Sequence, residues 1–446
     1  MRVIIIGAGE VGSSIAAGLA STHDVVVIDI DGERVDDLTY SLDVLAIQGD
    51  GTSLSALEKA GIGEADMLIA STDNDETNIV ACSAAKAIGD VFTIARVKKP
   101  DLLETWNRSD KAFGVDFMVC TDLLSAQAIV TIVGLPAARD ADPFAGGTVQ
   151  MAEFEIPEDS PVTGQTVAEA DRFDSLTFVG LLRGDEVEIA RGKTELLAGD
   201  YVVVIGSPES VQRFGTELSP EATPDSTEEI VIVGGSEVGY QVAKMFEERG
   251  LKPRLIEEDY DRARDLAERL PNTVVMESDA TDIEFLSREH IDEADVVIAA
   301  LTHDETNLLI SLLAKQLGAN RAVAVVEHGD YVDLFEAVGV DAAVNPREVV
   351  AEEITRFTHQ GRAENISLIH NDRAEVLEIE IDEDSVLAGR TLQDSMAELP
   401  NAVVIGAITR EEECIIPRGD TRIEAGDHVV VFARTDVVDA VTAAIG

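Results

Sequence analysis

Short apolar runs alternate with longer amphipathic stretches over the first third of the chain. Residues 25–28 form a β-branched run of strand length, whereas residues 12–20 and 77–88 place apolar side chains at helical spacing. Alternation of this kind is typical of βαβ units that build a parallel sheet. Because it begins again in the second half, the pattern predicts two α/β domains with Rossmann-like parallel sheets, over residues 1–135 and 228–360.

The hydrophobic pattern changes once in each half of the chain. After each predicted parallel sheet, short strand-like runs such as residues 150–156 and 201–205 follow one another. This pattern predicts small α+β domains with antiparallel sheets, over residues 140–217 and 364–446. Residues 218–227 are polar and contain two prolines, which predicts a linker between the halves. We therefore expect four domains, large and small in alternation.

The two halves repeat one another at a spacing of about 227 residues, which indicates duplication of a domain pair rather than a solenoid. The matching segments are residues 3–12 with 230–239, Asp-Glu-Thr-Asn at 75–78 with the same four residues at 304–307, and Ala-Gly-Asp-Tyr-Val-Val-Val at 198–204 with Ala-Gly-Asp-His-Val-Val-Val at 425–431. One structural plan is therefore expected twice.

The strongest chemical signal is a glycine-rich turn at the end of the first predicted strand. Gly7, Gly9 and Gly12 form a G-x-G-x-x-G pattern directly after a β run and directly before a helical pattern. In such a turn the first glycine permits the bend, the second lets a pyrophosphate approach the backbone, and the third lets helix and strand pack closely. The helix N-terminus then offers free N–H groups to phosphates.

An acidic residue stands where such a site needs one. Asp29 follows Gly12 by 17 residues, at the end of the second predicted strand, where a carboxylate binds ribose hydroxyls. Because a carboxylate repels a 2′-phosphate, Asp29 predicts NAD or an adenine nucleotide rather than NADP. The alternative is a glycine turn in a Rossmann-like fold that holds no ligand.

The second half departs from this pattern. It keeps the outer two glycines, but Ser236 stands at the middle position and Glu257 at the acid position. The Ser236 side chain crowds the place where a pyrophosphate would approach. Arg96 ends the fifth predicted strand of the first half and could reach ligand phosphates, whereas its counterpart is Val325. Two unequal sites are expected, and the second one could bind weakly, bind another nucleotide or be empty.

Two further elements lie where predicted strands end. Asp50-Gly51-Thr52 and its counterpart around Asp279 could line the adenine side of a pocket, or Asp50 or Thr52 could cap the next helix. Residues 72–78 could likewise cap a helix or close over a cofactor. The sequence leaves both alternatives open.

The charge of the chain is its most unusual compositional feature. The 446 residues carry 86 acidic and 34 basic side chains, a net charge of −52, and the basic residues comprise 25 Arg and 9 Lys. The acids are dispersed among regular apolar patterns, as in folded proteins of salt-accumulating halophiles, where concentrated cations screen the repulsion. No basic stripe is present to bind nucleic acid or anionic lipid. A haloarchaeal origin and no nucleic-acid partner are therefore predicted.

Membrane insertion, export and metal binding are not indicated. No segment approaches the run of about 18 apolar residues of a membrane-spanning helix, and the start of the chain lacks a secretory apolar region. Cys82, Cys120 and Cys414 have no C-x-x-C spacing, and the seven histidines have no metal-ligand spacing. We expect a cytoplasmic chain without disulfides or metal sites.

The repeated motifs together carry a family resemblance. Tandem halves that combine a glycine-rich nucleotide fold and an Asp-Glu-Thr-Asn element with a small domain ending in Ala-Gly-Asp-(Tyr/His)-Val-Val-Val resemble the TrkA family of Trk-type potassium-uptake regulatory subunits. The resemblance covers essentially the whole chain. It implies that each half is an RCK (or KTN) domain with an N-lobe and a C-lobe, and that the chain is a non-enzymatic regulatory subunit.

The resemblance also implies an assembly and its ligands. A homo-oligomeric ring of RCK domains would lie at the inner face of the membrane, peripheral and cytoplasmic, beneath a TrkH-like potassium-conducting partner. The ring would respond to NAD(H) and to ATP or ADP.

The resemblance further implies which residues hold the nucleotides. The residues of the first site are Gly7, Ala8, Gly9, Glu10, Val11, Asp29, Asp50, Gly51, Thr52, Ser71, Thr72, Asp73 and Arg96, together with Gly12 of the glycine pattern. The residues of the second site are Gly234, Gly235, Ser236, Glu237, Val238, Glu257 and Asp279, together with Gly239. Ser236 and Val325 depart from the family's pattern, which puts the second site in doubt.

A competing class is an NAD-dependent oxidoreductase or epimerase built on the same glycine pattern. Such an enzyme needs a substrate domain that offers an acid or base within reach of the nicotinamide. The small domains here are short, are repeated and lack such a constellation, so the sequence favours ligand sensing. A DNA-binding repressor would need a basic helix, and the sequence shows none.

Overall fold

The computed structural model describes residues 1–20, 22–108, 112–135, 138–158, 160–184, 186–218, 229–359, 365–369, 373–382, 385–396, 399–400, 402–410 and 413–445. Within these ranges the chain forms two six-stranded parallel sheets and two five-stranded antiparallel sheets. They alternate along the chain as predicted, which confirms the expected fold class. The predicted linker lies outside the described residues apart from Leu218, and it separates the two halves, residues 1–218 and 229–445.

The first parallel sheet is apolar on both faces because helices cover both. Its elements are β1 (Arg2–Ile6), α1 (Glu10–Ala20), β2 (Asp24–Asp29), α2 (Gly32–Ser41), β3 (Leu45–Gln48), α3 (Leu54–Ala60), β4 (Met67–Ala70), α4 (Asp75–Ile88), β5 (Phe92–Val97), α5 (Pro100–Asn107), β6 (Phe117–Cys120) and α6 (Thr121–Val133). Along β1, Ile4 and Ile6 face one hydrophobic cluster while Val3 and Ile5 face another. The strand order β3-β2-β1-β4-β5-β6 is that of a doubly wound dinucleotide-binding sheet.

The first small domain is an antiparallel sheet with short helices. Its elements are β7 (Ala138–Phe144), β8 (Val149–Glu155), α7 (Val167–Ala170), β9 (Leu176–Arg183), β10 (Glu186–Ile189), β11 (Tyr201–Gly206) and α8 (Pro208–Leu218). The strands lie in the order β10-β9-β11-β8-β7. The sheet packs its apolar face against α8, where Phe214 contacts Phe154 and Phe178 edge to face.

The second half repeats the plan of the first. The elements of its parallel-sheet domain are β12 (Ile230–Val233), α9 (Glu237–Glu248), β13 (Arg254–Glu257), α10 (Tyr260–Arg269), β14 (Val274–Glu277), α11 (Ile283–Arg288), β15 (Val296–Ala299), α12 (Asp304–Leu317), β16 (Ala322–Val325), α13 (Val332–Ala337), β17 (Ala342–Val344) and α14 (Pro346–His359). Those of its small domain are β18 (Asn365–Ile369), β19 (Ala374–Glu380), α15 (Leu392–Ser395), β20 (Val403–Arg410), β21 (Glu413–Ile415), β22 (His428–Arg434) and α16 (Val438–Ile445). The strand orders are β14-β13-β12-β15-β16-β17 and β18-β19-β22-β20-β21.

The repeated Ala-Gly-Asp segment has a structural role in both small domains. Asp200 is buried and accepts hydrogen bonds from Arg183 Nε at 2.8 Å and Nη2 at 2.6 Å. Asp427 is buried in the same way and accepts from Arg410 Nε and Nη2, both at 2.7 Å. Such bidentate, charge-assisted pairs fix the loop against the neighbouring strand.

Each half lends one helix to the core of the other half. α14 places Val350 and Ile354 in the same hydrophobic cluster as Ile15 of α1. In return, α6 places Ile129 in the same cluster as Val242 of α9. The two parallel-sheet domains therefore share a continuous apolar interface built from exchanged helices.

The two small sheets also pack on each other. Met151 and Val203 of the first sheet lie in one buried cluster with Val430 and Phe432 of the second. Gly180 makes room for this contact, because a Cβ atom there would lie 2.5 Å from Phe432 Cζ. The halves are thus held together at both the large and the small domains.

Candidate functional site

A cleft of the first half opens at the carboxyl ends of β1 and β4, where the strand order reverses. Ligands of doubly wound sheets bind at this topological switch point. The cleft measures about 750 Å³. Its lining residues are Ile6, Gly7, Ala8, Gly9, Glu10, Val11, Ser13, Ile28, Asp29, Ile30, Arg34, Gly49, Asp50, Gly51, Ser71, Thr72, Asp73, Asn74, Thr77, Arg96 and Arg347. We call it the first cleft.

The three glycines of the loop do different work. Gly7 has φ +104°, a conformation that L side chains rarely adopt. A Cβ atom on Gly12 would lie 1.9 Å from the carbonyl oxygen of Gly7, so Gly12 serves the close packing of α1 against the loop and does not line the cleft. A Cβ atom on Gly9 would meet only Arg34 Nη1, at 3.5 Å, so Gly9 leaves open space above the helix N-terminus.

Asp29 is buried at the end of β2 and is held by backbone N–H groups. Its Oδ2 accepts from Ala8 N at 2.5 Å, and its Oδ1 accepts from Asp31 N at 2.8 Å. Each carboxylate oxygen retains a further acceptor position, which suits the two hydroxyls of a ribose. The carboxylate thereby ties the glycine loop to the strand that would carry the sugar.

Arg96 lies on the opposite wall of the first cleft. It is buried, its Nε donates to Thr121 Oγ1 at 3.0 Å, and its Nη1 lies 3.4 Å from Ser71 O and from Asp73 Oδ1. Burial lowers the pKa of the Arg96 guanidinium, while Asp73 opposes that shift. Burial raises the pKa of the Asp73 carboxyl, but the charges of Arg96, Lys98 and Arg347 outweigh it and hold the pKa below its usual value.

The Asp50 segment forms a local turn at the edge of the first cleft. Asp50 Oδ1 accepts from Thr52 N at 2.9 Å and from Thr52 Oγ1 at 2.7 Å, and these bonds lower the pKa of Asp50. Ser53, and not Asp50 or Thr52, is the N-cap of α3. Asp50 and Gly51 line the cleft, whereas Thr52 does not.

The Asp-Glu-Thr-Asn element braces the wall of the first cleft. Asn78 is fully buried, and its Nδ2 donates to Thr72 O at 2.9 Å and to Arg96 O at 2.8 Å. Asn74 caps α4 by accepting from Thr77 N at 2.7 Å, and both Asn74 and Thr77 also line the cleft. The capping alternative for residues 72–78 is therefore confirmed, whereas closure of this segment over a cofactor stays a prediction.

The second glycine loop has the same backbone frame. Asn307 Nδ2 donates to Val325 O at 2.8 Å, as Asn78 does to Arg96 O, which places Val325 at the position of Arg96. Glu257 accepts from Gly235 N at 2.7 Å and from Asp259 N at 2.9 Å, as Asp29 does from its own loop. The alignment of the two sites made from the sequence therefore agrees with the hydrogen bonds of the fold.

The surroundings of the second loop differ from those of the first. Ser236 Oγ donates to Ala300 O at 2.6 Å and accepts from Gly239 N at 3.2 Å, so its side chain takes up a free N–H of the helix N-terminus. Arg262 Nε donates to Gly235 O at 2.7 Å. The protein's own side chains thus occupy part of the space that the first cleft leaves open.

The remaining residues predicted for the second site keep their expected places. Gly234 has φ +106°, and a Cβ atom on Gly239 would lie 2.1 Å from Gly234 O. Glu237 begins α9 and lies 4.0 Å from Arg262 Nη2, and Val238 follows it on the buried side. Asp279 Oδ1 accepts from Thr281 N at 2.8 Å, which repeats the Asp50 turn.

The sequence reasoning missed two arginines of the first cleft. Arg34 stands five residues after Asp29, and Arg262 stands five residues after Glu257, so the repeat itself carried a signal for this position. Arg347 comes from α14 of the second half, and its Nη1 pairs with Glu10. The local sequence of neither half indicates the contact between Arg347 and Glu10.

Among the described residues, no group of three or more His, Cys, Asp or Glu side chains is arranged to hold a metal ion. The three cysteines form no disulfide with one another. Within the part of the chain that the structure describes, no helix combines the length and the apolar character needed to cross a membrane.

Two known domain families match most of the chain. The TrkA-N domain matches residues 3–121 and 230–346, and the TrkA-C domain matches residues 151–219 and 376–446. The Trk system potassium uptake protein TrkA homolog of Archaeoglobus fulgidus is 38% identical over 441 residues, which cover 99% of this chain and 99% of that protein. The Trk system potassium uptake protein TrkA of Azorhizobium caulinodans is 32% identical over 451 residues, which cover 99% and 98%.

Solved structures share the fold at lower identity. The crystal structure of the GsuK RCK domain is similar with a TM-score of 0.61 and 20% identity, covering 99% of this chain and 95% of that one. A GsuK channel bound to NAD is similar with a TM-score of 0.61 and 20% identity, covering 99% and 79%. These likenesses show a common RCK fold. The domain matches and the full-length relatives establish that the chain belongs to the TrkA family of Trk-system potassium uptake proteins.

Proposed function

We propose that this chain is the nucleotide-sensing regulatory subunit of a Trk-type potassium transport system and acts on a TrkH-like membrane partner. The observation that supports the sensing role most strongly is the first cleft, where an open glycine loop, a buried ribose-type carboxylate and three arginines meet at the switch point of the sheet. Those arginines are Arg34, Arg96 and Arg347. Their charges suit the phosphates of a nucleotide.

The ligand class follows from the residues around the loop. The open space at Gly9 admits a pyrophosphate, and Asp29 offers acceptors to ribose hydroxyls while repelling a 2′-phosphate. NAD(H) or ADP and ATP therefore fit the first cleft better than NADP(H). The GsuK channel, which shares the fold, has been solved with NAD. The second site, which Ser236 and Arg262 partly fill, is the weaker one.

Regulation requires that the ligand favour one shape of the assembly over another. A nucleotide shifts an equilibrium only by its difference in affinity for the two shapes. The first cleft supplies a route to such a difference, because its rim includes a residue of the opposite half and that half is joined to α1 through α14. A coupling free energy of about 1 to 3 kcal/mol between nucleotide binding and the shape of the assembly would change the ratio of the two shapes about 5- to 150-fold.

The first cleft supports binding better than catalysis. Its described lining residues include no His, Cys, Tyr or Lys that could act as an acid or base beside a nicotinamide. Carboxylates could also act in this way, but each carboxylate of the lining is held by an ion pair or by hydrogen bonds of the fold: Glu10, Asp29, Asp50 and Asp73. The second candidate function, a dehydrogenase or epimerase, needs such an acid or base. We therefore propose a non-enzymatic role.

The proposal predicts a dependence on the membrane partner. Deletion of the gene should impair potassium uptake only in cells that carry a Trk-type membrane protein, and a Gly9→Val variant should fail to restore uptake. Uptake that is unaffected by the deletion would contradict the regulatory role. Turnover of NADH by the purified protein with a hydroxy-acid or sugar-nucleotide substrate would favour the enzyme instead.

Assembly is expected to depend on ionic strength. With a net charge of −52 per chain, several subunits in a ring repel strongly in dilute salt, where the Debye length is about 30 Å at 0.01 M, and much less at 1 M, where it is about 3 Å. Light scattering across a KCl series should show the ring in concentrated salt and its dissociation on dilution. A ring unchanged in dilute buffer would contradict the halophilic interpretation, and a monomer at every concentration would contradict the ring.

A further inference from the structure

The rim of the first cleft contains a side chain that the first half does not encode. Arg347 is the second residue of α14, which follows the last strand of the second parallel sheet, yet it lines the first cleft beside the glycine loop. Its guanidinium pairs with Glu10 through Nη1, and its Nη2 lies 3.6 Å from Glu327. Glu10 opens α1, the helix whose N-terminus faces the cleft.

Apolar packing fixes the position of Arg347. Val350, Ala351 and Ile354, which lie one and two turns further along α14, are buried in the core of the first half. Arg347 is therefore positioned at the cleft by a helix that is anchored in the interface between the halves. The backbone of Arg347 cannot leave the rim without disturbing that interface.

The charges at the loop make a cation necessary for an anionic ligand. The carboxylate of Glu10 stands between Gly9 and Val11, at the helix N-terminus where phosphates bind, and like charges there repel. Arg347 neutralises the Glu10 carboxylate. The Arg347 side chain is still one quarter exposed. A guanidinium has five N–H donors, so a phosphate that enters the cleft can accept from Arg347 while Glu10 stays paired with it.

The equivalent place in the second site carries the opposite charge. Asp122 is the second residue of α6, as Arg347 is of α14, and α6 packs on α9 as α14 packs on α1. Burial, and then the negative charges of Glu237 and Glu327, raise the pKa of Asp122, while Lys98 and Arg96 oppose the shift. An anion at the second loop would meet carboxylates where an anion in the first cleft meets a guanidinium.

We propose that Arg347 is the phosphate-binding cation of the first cleft, supplied by the opposite half, and that a nucleotide phosphate joins Glu10 as a partner of this guanidinium and thereby ties the two halves together. The inference rests on the proposed nucleotide binding and adds to it a specific residue and a route to the interface. It also explains the inequality of the two sites by charge as well as by space.

The test is calorimetric titration with ADP in concentrated KCl, using the full-length chain. Arg347→Gln should weaken ADP binding by about 10- to 100-fold, because a charge-assisted contact to a phosphate is lost. Arg347→Lys, which keeps the charge, should retain most of the affinity. Arg264→Gln is the matched control, since it removes the same charge from an exposed side chain on α10 and should bind ADP as the wild type does.

A pair of variants guards against loss of folding. If Arg347→Gln alone unfolds the chain, ADP binding is compared between Glu10→Gln and the double variant Glu10→Gln/Arg347→Gln, in which no unpaired carboxylate remains at the loop. The double variant should again bind at least about tenfold more weakly. If the wild type binds ADP and Arg347→Gln binds it with equal affinity, the assignment of Arg347 alone is overturned. A wild type that binds no nucleotide would overturn the proposed function, and this assignment with it.

Discussion

The two glycine loops of the molecule share one backbone frame and differ in what surrounds it. Asn78 and Asn307 make the same hydrogen bonds, and Asp29 and Glu257 hold their loops by the same N–H groups. The groups that would face a ligand have diverged instead. Both halves make the contacts that build the scaffold, whereas open space at the middle loop position and arginines that line a cleft are seen at the first loop.

Arg34 and Arg262 show this divergence at a single position. In the first half Arg34 is half exposed and lines the cleft, with Asp31 3.7 Å away. In the second half Arg262 donates to Gly235 O and contacts Asp265 at 3.1 Å, so its guanidinium serves the protein itself. The same side chain is available to a ligand in one half and committed to the fold in the other.

The largest expected effect comes from filling the space at the middle position of each loop. Gly9→Val should abolish NADH binding, whereas Ser236→Val should leave it largely intact, as judged by the fluorescence of bound NADH. A Cβ atom at Gly9 meets no backbone atom, so the Gly9 variant should fold normally. Equal loss of binding from both substitutions would contradict the assignment of the tight site to the first half.

The second expected effect separates the two acidic residues. Asp29→Ala should lower NADH affinity about tenfold and narrow the preference for NADH over NADPH, because it removes acceptors for the ribose and a repulsive charge for the 2′-phosphate. Glu257→Ala should change neither quantity. A wild type that prefers NADPH would show that Asp29 does not face the ribose.

The smallest expected effect concerns the charges at the helix exchange. Burial, and then Glu237 and Glu327, raise the pKa of Asp122 to about 6, while Lys98 and Arg96 oppose the shift. At low pH Asp122 is protonated, and the loss of stability that its ionisation causes is absent. As the pH rises from about 4 to above 6, the folded state must hold an ionised carboxyl that it disfavours, so the free energy of unfolding falls. Asp122→Asn should raise the melting temperature at pH 8 by about 2 °C and leave it unchanged near pH 4. Circular dichroism monitors the thermal unfolding. An equal difference in melting temperature at both pH values would contradict the ionisation of Asp122 as the cause.

The sequence predicted the parts of this account that are local in the chain. The spacing of Gly7, Gly9, Gly12 and Asp29 follows from the geometry of a strand, a turn and a helix, so the sequence was sufficient to predict a glycine loop with a nearby acid. The fold class followed in the same way, from hydrophobic periodicity repeated in two halves. Local physics dictates these features.

The sequence did not predict the features that depend on how the halves meet. The apolar faces of α6 and α14 have the pattern of any buried helix, and periodicity does not say which core a helix enters. The place of Arg347 depends on that choice, because the residue lies more than three hundred positions from Glu10 in the chain. Only the assembled fold brings the two side chains together.

The central claim is that the two sites of one chain are unequal, and the stoichiometry of nucleotide binding tests it most directly. Calorimetric titration of the wild-type protein with NADH, in concentrated KCl, should give one tight binding event per chain. Two equal events per chain would contradict the account, because Ser236, Arg262 and Asp122 would then not distinguish the second loop from the first.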